Sequence, residues 1–329
     1  SSYMKPTPLE YAKKTDMLTR HVRGHKSKTP VEVAELLEDA ITWREKNNID
    51  QIVFRDIEGS KRFHTVWNAR VHGHDRWGHA VFVERLSSID FESLLNEFDI
   101  HQVNMHRAQL LEATSMHKQT QARRLGWNVN KNVIVVDFEG LSWAHLSIRI
   151  CSLMREFAAF GNKYYVNTIY RIYVTRTPAV FQFAWKIFQT WVDQGVIDKV
   201  RFPENEEATM NELLAIGVPL KSLPDWLGGE SPGENITDMI LRARKENAHL
   251  KKETGSEKDA CIYWEDSEPL REHPRGVFGG KWLYYIILQV IRVLRFIIMM
   301  ALKTVFALVV LLVIIYVMRM RIDFEIITE

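Results

Sequence analysis

Cysteine is nearly absent from this chain. Cys151 and Cys261 are the only two in 329 residues, and they stand far apart. They allow no disulfide framework and no CxxC metal spacing, which fits a reducing compartment. An excess of charge is lacking too: 43 Lys and Arg against 41 Asp and Glu leave a net +2, so there is no global electrostatic case for nucleic acid. No Walker, GxGxxG, GxSxG or HExxH pattern occurs, so catalysis has no positive signal. No internal repeat is present. Residues 1–30 are polar and basic, without the apolar centre of a secretory signal.

Apolar residues, by contrast, crowd the far end. Residues 282–318 are almost all hydrophobic, broken by Arg292, Arg295 and Lys303 and stopped by Arg319 and Arg321. A spanning helix needs roughly 20 mostly apolar residues. Residues 296–318 meet that if Lys303 snorkels its ammonium toward headgroups. The lead-in carries Trp282, Tyr284 and Tyr285, aromatics suited to the interface. The reading is a C-terminal transmembrane helix over 296–318 within an anchoring segment 282–318, with a shallow re-entrant hairpin as the alternative geometry. Residues 319–329 form a short tail. Insertion is then expected after synthesis, with the main domain in the cytosol. The endoplasmic reticulum is the first expectation and the mitochondrial outer membrane the second.

The rest reads as an α/β domain. Segments 80–86, 132–138 and 169–175 are short and rich in Val, Ile, Tyr and Phe, as buried strands are, and 200–202 is a shorter fourth. Helical spacing runs through 30–47, with Thr29 placed to cap and Pro30 at a permissive first position. It recurs over 101–125 and 143–160. Strands alternating with helices predict a mostly parallel sheet. The divisions expected are a flexible N-terminus (1–17), a helical lead (18–59), the α/β domain (60–229) and a polar linker (230–281). Residues 236–252 have the spacing of a surface helix. If flexible, the linker has a typical end-to-end distance of ~40 Å.

Six segments in order resemble the CRAL-TRIO lipid-binding domain, in particular its phosphatidylinositol/phosphatidylcholine transfer branch. The basic lead Leu18-Thr19-Arg20-His21-Val22-Arg23-Gly24-His25-Lys26 is similar to that family's L-x-R-x-L-R-A-R-K stretch. Trp43-Arg44 ends a hydrophobic helix as the family's Trp-Arg does. Gly73 onward, through Asp75, Gly78 and Val81, resembles a G-x-D-x-x-G-R-P-V turn and strand. Val133-Ile134-Val135-Val136-Asp137-Phe138-Glu139-Gly140 resembles the central strand ending D-x-x-G. Tyr164-Tyr165, Ile172-Tyr173-Val174 and Pro178 are similar to the Y-Y-P-E…Y-I-I-N-A-P segment. Leu223-Pro224-Asp225-Trp226-Leu227-Gly228-Gly229 matches the closing L-P-x-x-x-G-G.

The resemblance implies a bowl with a sheet as floor, helices as walls, one lipid inside and a mobile helix as lid. The lid candidate is 178–192. Phe181, Trp185, Phe188 and Val192 share one helical face; Phe183, Ile187 and Trp191 share another. One side would meet the pocket and the other a membrane; the alternative is a helix buried between sheet and neighbours. In the phosphoinositide branch a Glu and an Arg follow the two tyrosines; here Val166, Asn167 and Thr168 stand there. The branch's headgroup lysine has a match at Lys199, spaced from Asp193. Headgroup candidates are therefore Lys199, Asn167, Arg20 and Arg23. The implied partners are a bilayer and a phospholipid or other hydrophobic ligand, with no other cofactor and no covalent chemistry. Rival readings are a non-transferring adaptor that recruits a partner to the membrane, and an enzyme with an acyl-chain pocket using His79 or Asp137. His72, His74 and His79 have metal-compatible spacing, but the resemblance makes them a hairpin turn.

Overall fold

The computed structural model describes residues 7–254. The anchoring segment 282–318, its tail and most of the expected linker lie outside the described residues.

The chain opens with three helices: α1 (Pro8–Lys14), α2 (Met17–Gly24) and α3 (Pro30–Lys46). The expected flexible N-terminus is therefore helical from Pro8. Thr7 caps α1 in a reciprocal box with Glu10, and Tyr11 and Ala12 are buried against Met17, Leu37 and Ala40. Thr29 accepts from the Glu32 amide at 3.3 Å while Glu32 accepts from the Thr29 amide at 2.7 Å. With Pro30 at the first position, α3 starts where its cap and its proline place it. A 3-10 turn (Ile49–Phe54) and α4 (Ser60–Val66) complete the lead.

Trp43 and Arg44, at the end of α3, lock this lead to the domain. The Trp43 ring stacks on Tyr164 at 4.1 Å. Arg44 donates to Glu112 at 2.7 Å and to Asp50 at 2.6 Å, and its Nε donates to the Tyr11 hydroxyl at 2.8 Å. Arg44 and Glu112 are both buried.

The sheet follows: β1 (Arg70–His74), β2 (Ala80–Arg85), β3 (Asn132–Asp137), β4 (Ile169–Thr175), β5 (Val200–Arg201) and β6 (Glu234–Asn235), in the order β5-β4-β3-β2-β1-β6. β2 to β5 run parallel; β1 is antiparallel to β2 and β6 to β1. The sheet is thus mixed and mostly parallel. Helices α5 (Phe91–Glu97), α6 (Ile100–Leu125) and α7 (Ile148–Tyr164) cover one face, and α10 (Glu206–Ala215) covers the other. Val81, Val83, Val133, Val135 and Tyr173 face α10 and its loop, packing on Leu213, Val218, Leu223 and Leu227.

Two elements depart from expectation. The spacing predicts one helix over the lid candidate, 178–192. The helix observed, α8, covers only Phe181–Phe188; turns carry the chain to the short α9 (Gln194–Ile197). The composition predicts a linker starting at 230. Instead β6 pairs with β1, and α11 (Ile236–Thr254) lies against α6 and the 3-10 turn. Ile236, Met239, Ile240, Ala243 and Asn247 are buried there, and Arg244 donates to the Val53 and Arg55 carbonyls. The fold therefore closes on α11 rather than at Gly229. Among the described residues no helix is long and apolar enough to cross a membrane.

Candidate functional site

A cavity of about 430 Å³ lies between the sheet and helices α6, α7 and α8. Strand alternation builds its floor. Phe82 and Glu84 of β2, Asn132, Ile134 and Val136 of β3, and Ile172 and Val174 of β4 all point to this face, because side chains two apart share a side. Phe157 and Met154 of α7 and Phe63 and Trp67 near α4 form the walls. Such volume and lining are typical of small-ligand pockets.

One side is closed by α8 and the turns after it. Phe181 is buried against Val174, Leu141 and Val200, and its ring meets Phe138 edge-on at 4.8 Å. Trp185, Ile187, Phe188 and Trp191 also line the cavity, half-buried. Phe183 does not. It is 50% exposed, with its ring 5.6 Å from that of Trp143. The two apolar stripes of this segment thus divide: one lines the cavity and part of the other faces solvent.

The cavity is polar at the N-terminal ends of the parallel strands. Lys199 precedes β5, and its ammonium donates to Asn167 Oδ1 at 3.3 Å. Asn167 sits in the left-handed region at φ 55°, a conformation Asn tolerates better than most residues. Asn132 is buried beside them with its Oδ1 unpartnered. Burial, then the nearby Lys131 and Lys26 charges, push the Lys199 amine down to about 8. Gly24, at the end of α2, also lines this end; a Cβ there would fall 2.3 Å from Val166 Cγ1.

Arg20 and Arg23, the other headgroup candidates, do not line this cavity. Arg20 borders a separate pocket of about 50 Å³ with Asp16, Glu112 and Lys118, and burial lowers its pKa. Arg23 is exposed on α2. The cations near Lys199 are instead Lys26 and Lys131. Sequence reasoning also missed Glu84 and Arg107, which line the cavity at the far end from Lys199. The alternation of β2 carries the signal for Glu84, since it shares a face with Phe82.

The histidines and Asp137 have structural partners. His79 Nδ1 lies 2.8 Å from Asp75 Oδ2, and the Asp75 carboxylate also accepts from the Trp77 and His79 amides, which shapes the hairpin turn. His72 Nδ1 is 2.9 Å from the Ser222 carbonyl. Among the described residues no group of three His, Cys, Asp or Glu is arranged to hold a metal. Asp137 accepts from Arg85 Nε and Arg176 Nε, both at 2.9 Å, and both guanidinium groups lie against the Trp226 ring. That ring belongs to the Leu-Pro-Asp-Trp-Leu-Gly-Gly segment, so the closing motif clasps the C-terminal end of the sheet.

Residues 65–229, half of the chain, match the CRAL/TRIO domain family. The chain belongs to the CRAL/TRIO family. This CRAL/TRIO chain is 26% identical to Protein real-time of Drosophila pseudoobscura pseudoobscura over 59% of its own length and 29% of that protein's. It is 24% identical to the phosphatidylinositol/phosphatidylcholine transfer protein SFH9 of Arabidopsis thaliana, over 59% of its length and 34% of that protein's. It thus spans about a third of the length of these relatives. The crystal structure of Sfh5 shares the fold, with a TM-score of 0.52 at 18% identity, covering 69% of this chain and 78% of that one.

Proposed function

We propose that this CRAL/TRIO domain takes one lipid out of a membrane, holds its hydrocarbon in the cavity and exchanges or presents it without covalent chemistry. The observation that carries the reading is the mainly apolar cavity between sheet and α8, with Lys199 and Asn167 at one end. Each buried methylene contributes about 0.8 kcal/mol in an apolar medium, close to what a bilayer offers, so a lipid exchanges both ways. Phe181, Trp185, Phe188 and Trp191 gate, with Ile187 beside them; Phe183 faces the membrane. Lys199 and Asn167 meet the ligand's anionic or hydroxylated end. Residues 282–318 hold the chain to its bilayer, the domain facing the cytosol, with the endoplasmic reticulum as the first address. Tethering raises the domain's concentration at that surface.

Purification of the chain, solvent extraction and mass spectrometry test this reading. Stoichiometric co-purified lipid is expected. The absence of the family's Glu and Arg beside Asn167 favours a second reading, an adaptor that binds a partner and no lipid. An empty protein that stays empty after incubation with vesicles would establish that reading instead.

A further inference from the structure

The cavity is polar at both ends, and its second end is unexplained by a lipid with one headgroup. Glu84 of β2 and Arg107 of α6 line it opposite Lys199. Glu84 lies level with Val136 in the parallel ladder, four residues along β3 from Asn132. At ~3.3 Å per residue the floor runs about 13 Å along the strands from Asn132 to the level of Glu84. Ile134 and Val136, with Ile172 and Val174 beside them, make the stretch between apolar.

No hydrogen bond or ion pair ties the Glu84 carboxylate to another described residue. Arg107 is the nearest compensating charge, and its guanidinium is held in place elsewhere. It donates to the Phe157 carbonyl at 3.3 Å and sits 4.3 Å from the centre of the Phe157 ring. Burial raises the Glu84 pKa and pushes that of Arg107 down to about 10, so both ions lack the solvation they have in water. A hydrocarbon tail ending there would complete that desolvation and leave the Glu84 carboxylate without a hydrogen bond among the described residues, which is costly. A hydroxyl ending there would donate to Glu84 and accept from Arg107.

We propose that Glu84 and Arg107 form a second polar subsite, and that the ligand is an amphiphile polar at both ends: an anionic or hydroxylated head at the Lys199, Asn167 and Asn132 end, and a hydroxyl-class group beyond the apolar floor, whose length from Asn132 to the level of Glu84 is about 13 Å. This rests on the lipid-binding reading above and narrows its ligand class.

Two probes differing only at the far end test it. Dodecanoate and 12-hydroxydodecanoate carry the same head on a chain of about the required span. Binding to the full chain is followed by quenching of tryptophan fluorescence, since Trp67, Trp185 and Trp191 line the cavity. The hydroxy acid is expected to bind about tenfold tighter, as a hydrogen bond to a buried charge implies. In the Glu84→Leu, Arg107→Met double variant the order should reverse. Equal or tighter binding of dodecanoate by the unsubstituted protein overturns this inference and leaves the lipid-binding reading standing. Binding of neither probe, with no co-purified lipid, overturns both.

Discussion

Trp143 and Phe183 face each other with ring centres 5.6 Å apart, and solvent reaches both: Trp143 is 66% exposed and Phe183 50%. Trp143 belongs to the 3-10 turn before α7 and Phe183 to α8, so the pair bridges these two elements. Exposed Ile148 opens α7 directly after that turn, and the exposed Lys186 lies on α8. Exposed aromatics beside cations suit a headgroup layer. The Trp143→Ala, Phe183→Ala double variant should therefore lose vesicle binding in a flotation assay, with a thermal midpoint close to that of the parent. Unchanged flotation would detach this surface from the membrane.

Phe181 and Trp185 stand one turn apart on α8 and should behave differently. Phe181 is buried in a cluster with Leu141, Val174 and Val200. Phe181→Ala should destabilise the fold by about 3 kcal/mol in denaturant titration. Trp185 is half-buried and lines the cavity beside Phe202, 5.2 Å between ring centres. Trp185→Ala should cost less stability but reduce the lipid retained through purification.

The two closing glycines carry different constraints. Gly228 has φ 74°, the left-handed region, where alanine costs about 1–2 kcal/mol. A Cβ on Gly229 would lie 2.1 Å from the Leu223 carbonyl oxygen and 2.5 Å from that of Leu220. Both are backbone atoms and cannot swing aside. Gly229→Ala should cost on the order of 3 kcal/mol or more, clearly above Gly228→Ala, in equilibrium unfolding. Similar losses for the two would show that the segment shifts freely.

Lys118 is buried with its ammonium 3.4 Å from the Asn130 carbonyl, and burial pushes its pKa down to about 7. The unfolded chain holds that proton to about 10.5. Between these values the unfolded state binds more protons, so this residue's contribution makes stability rise with pH from about 7 to 10.5. Lys118→Met should flatten that rise and stabilise the protein by ~1–2 kcal/mol at pH 7, measured by denaturant unfolding across the range. An unchanged slope would mean the ammonium is well solvated.

How far such features were legible in the sequence depended on what each residue packs against. β2, β3 and β4 are covered on both faces, so their residues form continuous apolar runs and announce themselves. β1 is Arg-Val-His-Gly-His, with too few apolar side chains to register as a strand. α11 buries residues 236, 239, 240, 243 and 247 beneath a charged surface, and its composition passed for linker. The aromatic stripes near α8 were visible by spacing, but the break after Phe188 was not. In the site, Lys199 was legible through the resemblance of Asp193 to Lys199 to the family's D-x-x-x-x-x-K stretch. Its neighbours Lys26 and Lys131 come from remote segments, and only the folding of α2 and the approach to β3 brings them near. Glu84 and Arg107 reach one cavity lining from a strand and a helix, a relation no local periodicity encodes.

Lys199 offers the most direct reading of the ligand's head. Its amine titrates near 8 because burial and the charges of Lys131 and Lys26 disfavour the protonated form. A phosphate or carboxylate binds the ammonium, so the free protein must hold that proton to bind well. Affinity for a soluble short-chain anionic phospholipid should therefore be nearly constant below pH 7 and fall as pH passes through 8 toward 9. Lys199→Met should bind several-fold more weakly at pH 7 and lose the fall. Lys199→Arg keeps its charge throughout this range, so it should bind at pH 9 about as well as at pH 7. If the unsubstituted protein shows no fall between pH 7 and 9 while Lys199→Met still weakens binding, the lysine contributes shape and a neutral contact rather than charge. If Lys199→Met binds as well as the parent, the anionic head lies elsewhere in the cavity.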